Sequence, residues 1–570
     1  MQKAIKSKYL VSISSFILVM MISLPFSMHA QEGTDLRSEE VKIRGEFVPE
    51  VRSSVKISET PTIVDSTEKI QNISYSEIDK RVDTYFEAEP LPAAKMKGEP
   101  LNKLYRAYIK GGFGNYRSPL GEIHLNTLRS RQYTAGISLK HWSTAGFVRD
   151  MPYSAFNDNE AKIYGKYFLA NHTIGGSLDY NYNALNYYGV SQPENFILND
   201  KKDIFQNYHT AGGKFEFKSR YKEIYKLQYD TEVDYYYMQS FEGASENKVG
   251  AKLDFNRRVG SEIYAINTNT EYYINNNTVE NLQNYIVTIN PEVRLQGDEL
   301  WDLKAGINVV VSGVHDQVAD IDFFPNVKFR YNLIKEILIP YINVGGGIDR
   351  NSLRSTIQQN PFINPLLSLE NTKRNVDADL GLRGSLSKNI SYNIGVNYQK
   401  ITNAAFFAND TSGQNILQNK FELIYDNMEM FNGYAELGME VGERFRFLSR
   451  LDYYNYTMEN FAEAWHLPQF KGTISTAYNL RDKIIAKADL YYIGERKAFN
   501  HFQDGDISQP GIYPTNLKGF FDANLNLEYR YTSKFSLFLN INNIAASRYN
   551  MWYNYPSQAI NAIGGVTFIL

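Results

Sequence analysis

The sequence predicts an all-β protein: a transmembrane antiparallel β-barrel of about 22 strands, preceded by a short irregular N-terminal segment. Three observations predict it. From about residue 104 to the last residue, polar and apolar side chains alternate with the period of two that a β-strand imposes. The alternating stretches span ten or more residues, whereas strands of soluble proteins usually have about five or six. Their polar faces are rich in charge, and their apolar faces often end in Tyr or Phe, as in barrels that cross a membrane.

Composition excludes several classes of protein. The 570 residues include no Cys, which excludes disulfide scaffolds and Cys-ligated metal centres. Lys and Arg total 60 against 63 for Asp and Glu, so the net charge of −3 is unsuited to a nucleic-acid-binding protein. The mean hydropathy of −0.41 and the lack of a later apolar run of about 20 residues exclude a bundle of spanning helices.

The first 30 residues are predicted to be a cleaved secretory signal peptide. Lys3, Lys6 and Lys8 precede an apolar run over 10–24, and Ala30 offers a small residue at the cleavage site. The alternative, an uncleaved membrane anchor, is disfavoured because the run is short and Pro25 ends it. The mature chain is therefore expected outside the cytoplasm, in the outer membrane of a Gram-negative cell envelope.

Residues 31–102 differ in composition from everything that follows. They are charged, poor in aromatic residues and interrupted by Pro49, Pro61, Pro90, Pro92 and Pro100. We do not expect such a segment to bury enough apolar surface for a strong core of its own. We expect a periplasmic tether or a strip that fills the lumen of the barrel, which itself is predicted over 103–570.

Alternation is clearest in two stretches. Near the C-terminus, apolar residues from Phe521 to Tyr531 alternate with polar residues from Asp522 to Arg530. A second stretch alternates in the same way from Tyr225 to Tyr235. A soluble β-sandwich also has alternating strands, but long strands with one almost fully charged face favour the membrane barrel. Because lipid offers no partner for backbone groups, only a closed barrel satisfies such strands there.

The lengths of the turns predict the orientation and the number of strands. Short connections at 220–222, 259–261, 297–299, 334–336, 387–389, 442–443, 481–483 and 532–533 alternate with longer linkers near 144–157, 188–203, 350–373, 496–514 and 546–558. Bacterial barrels keep short turns in the periplasm and long loops outside. Splitting 421–441 at Asn427 gives 23 strands. Both termini on one side require an even number, so 421–441 is predicted to be one long strand and the count becomes about 22.

The polar faces supply the candidate lumen residues. These are Asp230, Asp377, Arg383, Asp522 and Arg530. A barrel of this size has a lumen wide enough to need filling. The charged residues could hold a filler through salt bridges, or they could be solvated lumen residues only.

The C-terminal 36 residues carry a family resemblance. FSLFLNINNIAASRYNMWYNYPSQAINAIGGVTFIL, at 535–570, resembles the end of TonB-dependent receptor barrels. The shared features are an aliphatic–polar strand at 539–541, the pair Asn542 and Asn543, Tyr549 after it, and a final strand led by Gly564 and Gly565. The resemblance covers about four fifths of the chain and implies a 22-stranded barrel in the outer membrane.

The resemblance is to a plugless type of these barrels, such as those of Bacteroidota. Receptors of the family carry a globular plug before the barrel, for which 31–102 is too short, and EEVKIRGE at 39–46 matches the TonB-engaging motif weakly. Energised uptake that moves a plug is therefore not implied. The lumen must be occluded by 31–102, by long loops folded inward, or by a partner protein.

No catalytic, cofactor or metal motif is found. The eight His form no HExxH pattern or other ligand set, and no GxSxG elbow occurs. Asp316, Asp320 and Asp322 lie near a loop without the spacing of a Ca²⁺ site. Glycines 345–347 are expected within a strand, because no helix pattern follows them. The protein is therefore not expected to be an enzyme.

Two functions remain open. The first is passage or uptake of solutes across the outer membrane, with loops 350–373 and 496–514 selecting the cargo. The second loop carries the candidate ligand-facing residues Phe499, His501, Phe502 and Tyr513. These aromatics could stack on a sugar or a peptide, or could pack the loops over the barrel mouth.

The second function is a subunit or scaffold of an envelope assembly, secretion or transport complex, with 31–102 docking a partner protein. Either function implies contact with outer-membrane lipid and insertion by the outer-membrane assembly machinery. No nucleic-acid partner is expected.

Overall fold

A computed structural model describes residues 104–146, 148, 151, 153–190, 201–277, 281–297, 300–314, 318–409, 419–503 and 506–570. Within these ranges the side chains of 201, 281, 501–503 and 506–513 are left undescribed. The predicted signal peptide and the predicted tether, 31–102, lie outside the described residues.

Twenty-two antiparallel strands form one sheet that closes on itself. Each strand pairs with the next along the chain, and the last strand pairs with the first. In chain order the barrel strands are β1 (Ala107–Gly114), β2 (Ser118–Asn126), β3 (Tyr133–Thr144), β4 (Phe156–Phe168), β5 (His172–Asn186), β6 (Phe205–Ser219), β7 (Gln228–Ser240), β8 (Ser245–Val259), β9 (Glu262–Asn276), β10 (Asn281–Gly297), β11 (Trp301–Val314), β12 (Asp320–Tyr331), β13 (Ile339–Arg350), β14 (Asn371–Ser387), β15 (Ile390–Asn409), β16 (Phe421–Val441), β17 (Phe445–Met458), β18 (Phe470–Leu480), β19 (Ile484–Ile493), β22 (Phe520–Arg530), β23 (Phe535–Asn542) and β26 (Asn561–Ile569).

The remaining elements lie in connections between barrel strands. Strands β20 (Arg496–Gln503) and β21 (Asp506–Leu517) pair as a hairpin between β19 and β22. Strands β24 (Asn550–Trp552) and β25 (Tyr555–Pro556) pair between β23 and β26. The helix α1 (Leu353–Gln359) follows β13, and single 3-10 turns occur at Asn115–Arg117 and Lys201–Asp203.

The predicted fold class and strand number are confirmed. The interpretation of 421–441 as a single strand is also confirmed, because β16 has these bounds and pairs along its length with β15 and β17. Glycines 345–347 lie in β13, where the pairing with β14 shifts register at a bulge. No helix among the described residues is long and apolar enough to cross a membrane.

Apolar side chains cover the outside of the barrel. On β22, Phe521 and Tyr529 are exposed, whereas Asp522 between them lines a cavity inside the barrel. On β14, Leu380 and Leu382 are likewise exposed. An exposed apolar surface that continues around a closed sheet is the surface of a barrel embedded in lipid.

Glycines allow the first and last strands to meet. Gly112 on β1 pairs with Gly565 on β26. A Cβ atom added to Gly565 would lie 2.1 Å from the Gly111 carbonyl oxygen and 2.5 Å from the Gly112 Cα. Contacts this short are not tolerated, so the seam requires a residue without a side chain at this position.

The connections divide between two rims. The long-loop rim is formed by the strand ends that are joined by the connections 145–155, 187–204, 351–370, 410–420, 459–469, 494–519 and 543–560. The short-turn rim carries the chain end, where the Arg106 amide donates to the Leu570 carbonyl at 2.6 Å. Two predicted turns on this rim are longer than expected. Residues 220–227 connect β6 to β7, and residues 332–338 connect β12 to β13. Tyr225 and Leu227 lie in the first of these turns, so they precede β7 and are not part of it.

Candidate functional site

The loop 351–370 folds into the mouth of the barrel at the long-loop rim. Its first part forms α1, which begins after Ser352. The Ser352 hydroxyl accepts a hydrogen bond from the backbone amide of Ser355 at 3.0 Å, and the Ser355 hydroxyl accepts one from the backbone amide of Ser352 at 3.0 Å. This reciprocal cap satisfies amides that have no partner within the helix. Leu353 and Ile357, one turn apart, are buried against inward-facing residues of the wall.

A carboxylate of the wall holds the start of α1. Glu246 on β8 is fully buried and accepts from the Leu353 amide at 2.7 Å and from the Arg354 amide at 3.2 Å. Two wall side chains complete its shell: the Tyr236 hydroxyl donates at 2.8 Å and the Asn275 amide at 2.7 Å. A carboxylate at a helix N-terminus is favoured by the unpaired amides and the local dipole. Glu246 therefore binds the start of the loop to the barrel wall.

Beyond α1 the loop crosses to a distant part of the wall. The Ile363 carbonyl accepts from the Tyr187 hydroxyl at 2.8 Å. The Asn364 amide donates to the Phe421 carbonyl at 2.7 Å, and the Phe421 amide donates to the Phe362 carbonyl at 3.0 Å. The loop thus extends from strands β7–β9 to the start of β16. We call loop 351–370, with the residues packed on it, the mouth constriction.

An apolar core holds the mouth constriction together. The Phe362 and Tyr555 rings stack with centroids 3.7 Å apart, and Tyr555 also donates a hydrogen bond to the Asn419 carbonyl. Burial raises the pKa of the Tyr187 and Tyr555 hydroxyls, so both remain neutral donors. The buried members are Tyr208, Tyr236, Met238, Ala244, Tyr273, Leu353, Ile357, Ile363, Leu367, Leu369, Phe407, Phe421 and Tyr555.

A second apolar cluster packs loop 459–469 against the hairpin β20–β21. Trp465 is buried and meets Phe499 edge to face, with ring centroids 5.3 Å apart. The next residue, His466, is buried between Phe421 and Trp552, and its Nδ1 lies 3.1 Å from the Phe407 carbonyl. Burial, assisted by nearby Arg496, lowers the pKa of His466 to about 3. His466 is therefore neutral at physiological pH.

Arg496 ties the hairpin to the last loop. Its guanidinium donates to the Met551 carbonyl at 2.7 Å and to the Asn550 carbonyl at 2.6 Å. Burial lowers the pKa of Arg496 to about 10, so it stays charged at neutral pH. Loops 459–469, 494–519 and 543–560 are consequently linked to one another as well as to loop 351–370.

Of the four predicted ligand-facing residues, the structure describes the side chain of Phe499, which packs against Trp465 within the loops. The side chains of His501, Phe502 and Tyr513 lie outside the described part. Their backbones belong to the hairpin, in which Tyr513 pairs with Asn500 and Phe502 pairs with Pro510.

The five candidate lumen residues lie on β7, β14 and β22, and the structure does not bring them together. Each has a partner on the barrel. Two of them form ion pairs: Asp230 with Lys218 at 2.5 Å and Arg530 with Glu528 at 3.1 Å. Two accept hydrogen bonds: Asp377 from Asn397 at 2.8 Å and Asp522 from the Tyr549 hydroxyl at 2.5 Å. The Arg383 guanidinium lies 5.4 Å from the centre of the Tyr341 ring.

Ion pairs within one strand and between nearby strands line much of the inner wall. Examples are Lys166 with Glu216 at 2.6 Å, Lys214 with Glu232 at 2.6 Å, Lys248 with Asp234 at 2.7 Å, Lys304 with Glu292 at 2.5 Å and Arg450 with Asp452 at 2.8 Å. These pairs place acidic and basic side chains next to one another on the wall. Towards the short-turn rim, the wall bounds a polar cavity of about 660 Å³ lined by residues that include Asp302, Lys328 and Arg383.

Sequence reasoning did not identify the mouth constriction as such. The signal was present in part: Leu353 and Ile357 have helical spacing after Ser352, and apolar residues continue to Leu369 in a loop where polar ones are usual. Glu246 gave no signal, because charged residues occupy the inner face of almost every strand. Among the described residues no group of three or more His, Asp or Glu side chains is arranged to hold a metal ion.

These features define a class: a large closed β-barrel with an apolar outside, a polar lumen and loops folded into one mouth. No family model matches the chain, and no curated protein shows significant similarity to it. Solved structures do share the fold. The FrpB iron transporter of Neisseria meningitidis aligns with 82% of this chain and 82% of its own, at TM-score 0.63 and 11% identity.

Two further receptors align over a similar extent. The ferric-catecholate import receptor Fiu of Escherichia coli K12 aligns over 82% of both chains, at TM-score 0.59 and 11% identity. The pyoverdine outer-membrane receptor FpvA of Pseudomonas aeruginosa aligns over 82% of this chain and 79% of its own, at TM-score 0.61 and 10% identity. This chain thus has the barrel fold of TonB-dependent receptors, as the C-terminal resemblance predicts.

Proposed function

We propose that this protein is an outer-membrane passage through which solutes enter the cell. The observation that carries the proposal is the combination of a polar inner wall with a loop that folds into one mouth. A polar wall suits hydrated solutes, and a constriction at one end provides selection. The three proteins compared above are, by their names, an iron transporter, a ferric-catecholate import receptor and a pyoverdine outer-membrane receptor.

The long-loop rim is proposed to face the medium, because bacterial barrels keep their long loops outside. Residues 31–102 then start on the periplasmic side, where they could fill the lumen from below or dock a partner protein. We propose that they form a second barrier in series with the mouth constriction. Their length does not suit the globular plug of the receptors, so TonB-driven movement of a plug is not part of the proposal.

Conductance in planar bilayers tests the proposal. Four purified proteins are compared: the full chain, a variant with 353–364 replaced by a Gly-Ser linker, a variant lacking 33–98, and the double variant. We expect the full chain to be silent and the double variant to conduct steadily. Because the two barriers are in series, each single variant should also stay silent. Conductance in a single variant would show that the segment it lacks is the sole barrier and would contradict the series arrangement. A folded double variant without conductance contradicts a passage, and the scaffold function then takes its place.

A further inference from the structure

A cavity of about 730 Å³ lies inside the barrel beside the mouth constriction. Its wall comes from β3–β7 on one side and from β22, β23 and β26 on the other, and α1 contributes Arg354 and Gln358. Binding sites for small molecules usually enclose roughly 300–1,000 Å³. The cavity is thus of suitable size, and any occupant would touch the loop that narrows the mouth.

The lining combines amides with aromatic rings. Eight Asn or Gln side chains line the cavity, among them Asn181, Gln358 and Asn561. Six aromatic side chains line it too, including Trp142 and Tyr549. An amide side chain both donates and accepts, which matches a hydroxyl group. Aromatic faces carry negative charge density, which attracts the C–H groups of a sugar ring.

Three buried polar atoms on lining residues have no hydrogen-bond partner within the described part of the chain. They are the donor Trp142 Nε1 and the acceptors Asp522 Oδ1 and Asn561 Oδ1. Buried polar groups are usually paired, so such atoms call for a partner that the described residues do not supply. A hydroxyl group both donates and accepts, so it complements a set that contains one donor and two acceptors.

The charges of the lining argue against an anionic ligand. Among the described lining residues, the charged side chains are Asp158, Asp522 and Arg354, so carboxylates outnumber cations there. The Arg354 guanidinium lies 4.7 Å from the centre of the Tyr236 ring. Sites for anionic chelates depend on clustered Arg or Lys side chains, and the described lining of this cavity contains one.

We propose that the cavity binds a neutral, hydroxyl-rich ligand of the oligosaccharide class. The proposal deepens the proposed function, since it names the class of solute that the passage would take. Binding itself does not require passage, so the two can fail separately.

Titration of the purified full chain tests the proposal. The probes are maltohexaose, cellohexaose and xylohexaose, with ferric citrate as the anionic comparison. Binding is followed by calorimetry and by tryptophan fluorescence. We expect saturable binding of at least one neutral oligosaccharide with a fluorescence change, and no binding of ferric citrate.

Two matched variants locate the site. Trp142→Phe keeps an aromatic ring but removes the N–H donor. The loss of one hydrogen bond should weaken binding about tenfold. The same variant should lose most of the fluorescence change. Trp301→Phe changes a tryptophan at the short-turn rim and should leave both unchanged. The proposal is overturned if none of the three oligosaccharides binds, if ferric citrate binds in this cavity instead, or if both variants bind equally. If an oligosaccharide binds but the double variant does not conduct, the proposed passage is contradicted and the proposed binding site is not.

Discussion

The carboxylate of Glu246 and the backbone amide of Leu353 lie 2.7 Å apart, although 107 residues separate them in the chain. One belongs to the barrel wall and the other begins the helix that folds into the mouth. The same carboxylate also accepts from Arg354, Tyr236 and Asn275. The start of the constricting loop is therefore held by one buried side chain of the wall.

Replacing Glu246 should release the loop. Glu246→Gln keeps the size of the side chain but removes its charge and one of its acceptors, so docking should weaken by roughly 2–3 kcal/mol. Amide hydrogen exchange over 353–370 should accelerate, while exchange in the barrel strands stays slow. Glu429→Gln is the control, since Glu429 forms an exposed pair with Lys400 at 3.4 Å. Equal exchange in the two variants would contradict the role of Glu246.

A side chain at the barrel seam should prevent closure. Gly565→Ala places a Cβ atom 2.1 Å from the Gly111 carbonyl oxygen, and one of the two paired backbones must then move. Gly564→Ala is its neighbour and control, because the nearest atoms there are 3.9 Å away. Folding is measured from the heat-dependent shift in gel mobility. We expect the folded fraction to fall markedly for Gly565→Ala only, and a normal shift in that variant would exclude a steric requirement at the seam.

Acid should loosen loop 459–469. Because the pKa of buried His466 is lowered from 6.5 to about 3, opening of the loop takes up a proton below pH 6.5. Stability of the packed loop is thus full above pH 6.5 and falls as the pH drops towards 3, by at most about 1.4 kcal/mol per unit.

The test compares amide exchange in 459–469 at pH 7 and pH 4.5, corrected for the intrinsic exchange rate. His466→Asn does not titrate and suits the positive φ of 60° at this position. Its loop should lose the extra acid sensitivity. If wild type and variant respond equally to acid, His466 is not the group responsible.

Charge on the outer surface should destabilise the barrel according to depth. Leu380, near the middle of β14, is 55% exposed, and Leu386, near its end at the short-turn rim, is 65% exposed. Arg at the bilayer midplane costs about 2–4 kcal/mol, falling to about 0–1 kcal/mol near the interface. Urea titration of barrels folded into vesicles should therefore show a larger loss for Leu380→Arg than for Leu386→Arg. Equal losses would place the lipid boundary elsewhere.

The sequence by itself determined the architecture. Strand alternation depends only on local side-chain direction, so the period of two predicted the all-β barrel, and the requirement for an even count predicted the single strand β16. The same alternation predicted inward-facing positions for Asp377 and Asp522. The predicted start of β7 was wrong: alternation begins at Tyr225, but the strand begins at Gln228 because the preceding residues form a turn.

Only the tertiary structure decided what closes the mouth. Loop 350–373 was expected to select cargo, but nothing local indicated that it packs on Glu246, Tyr187 and Phe421. These partners lie far apart in the chain and meet because the closed sheet brings their strands to one rim. Phe499 shows the same limit: an aromatic side chain in a loop suits a ligand or a packed cluster equally well, and its contact with Trp465 depends on how two separate loops fold together.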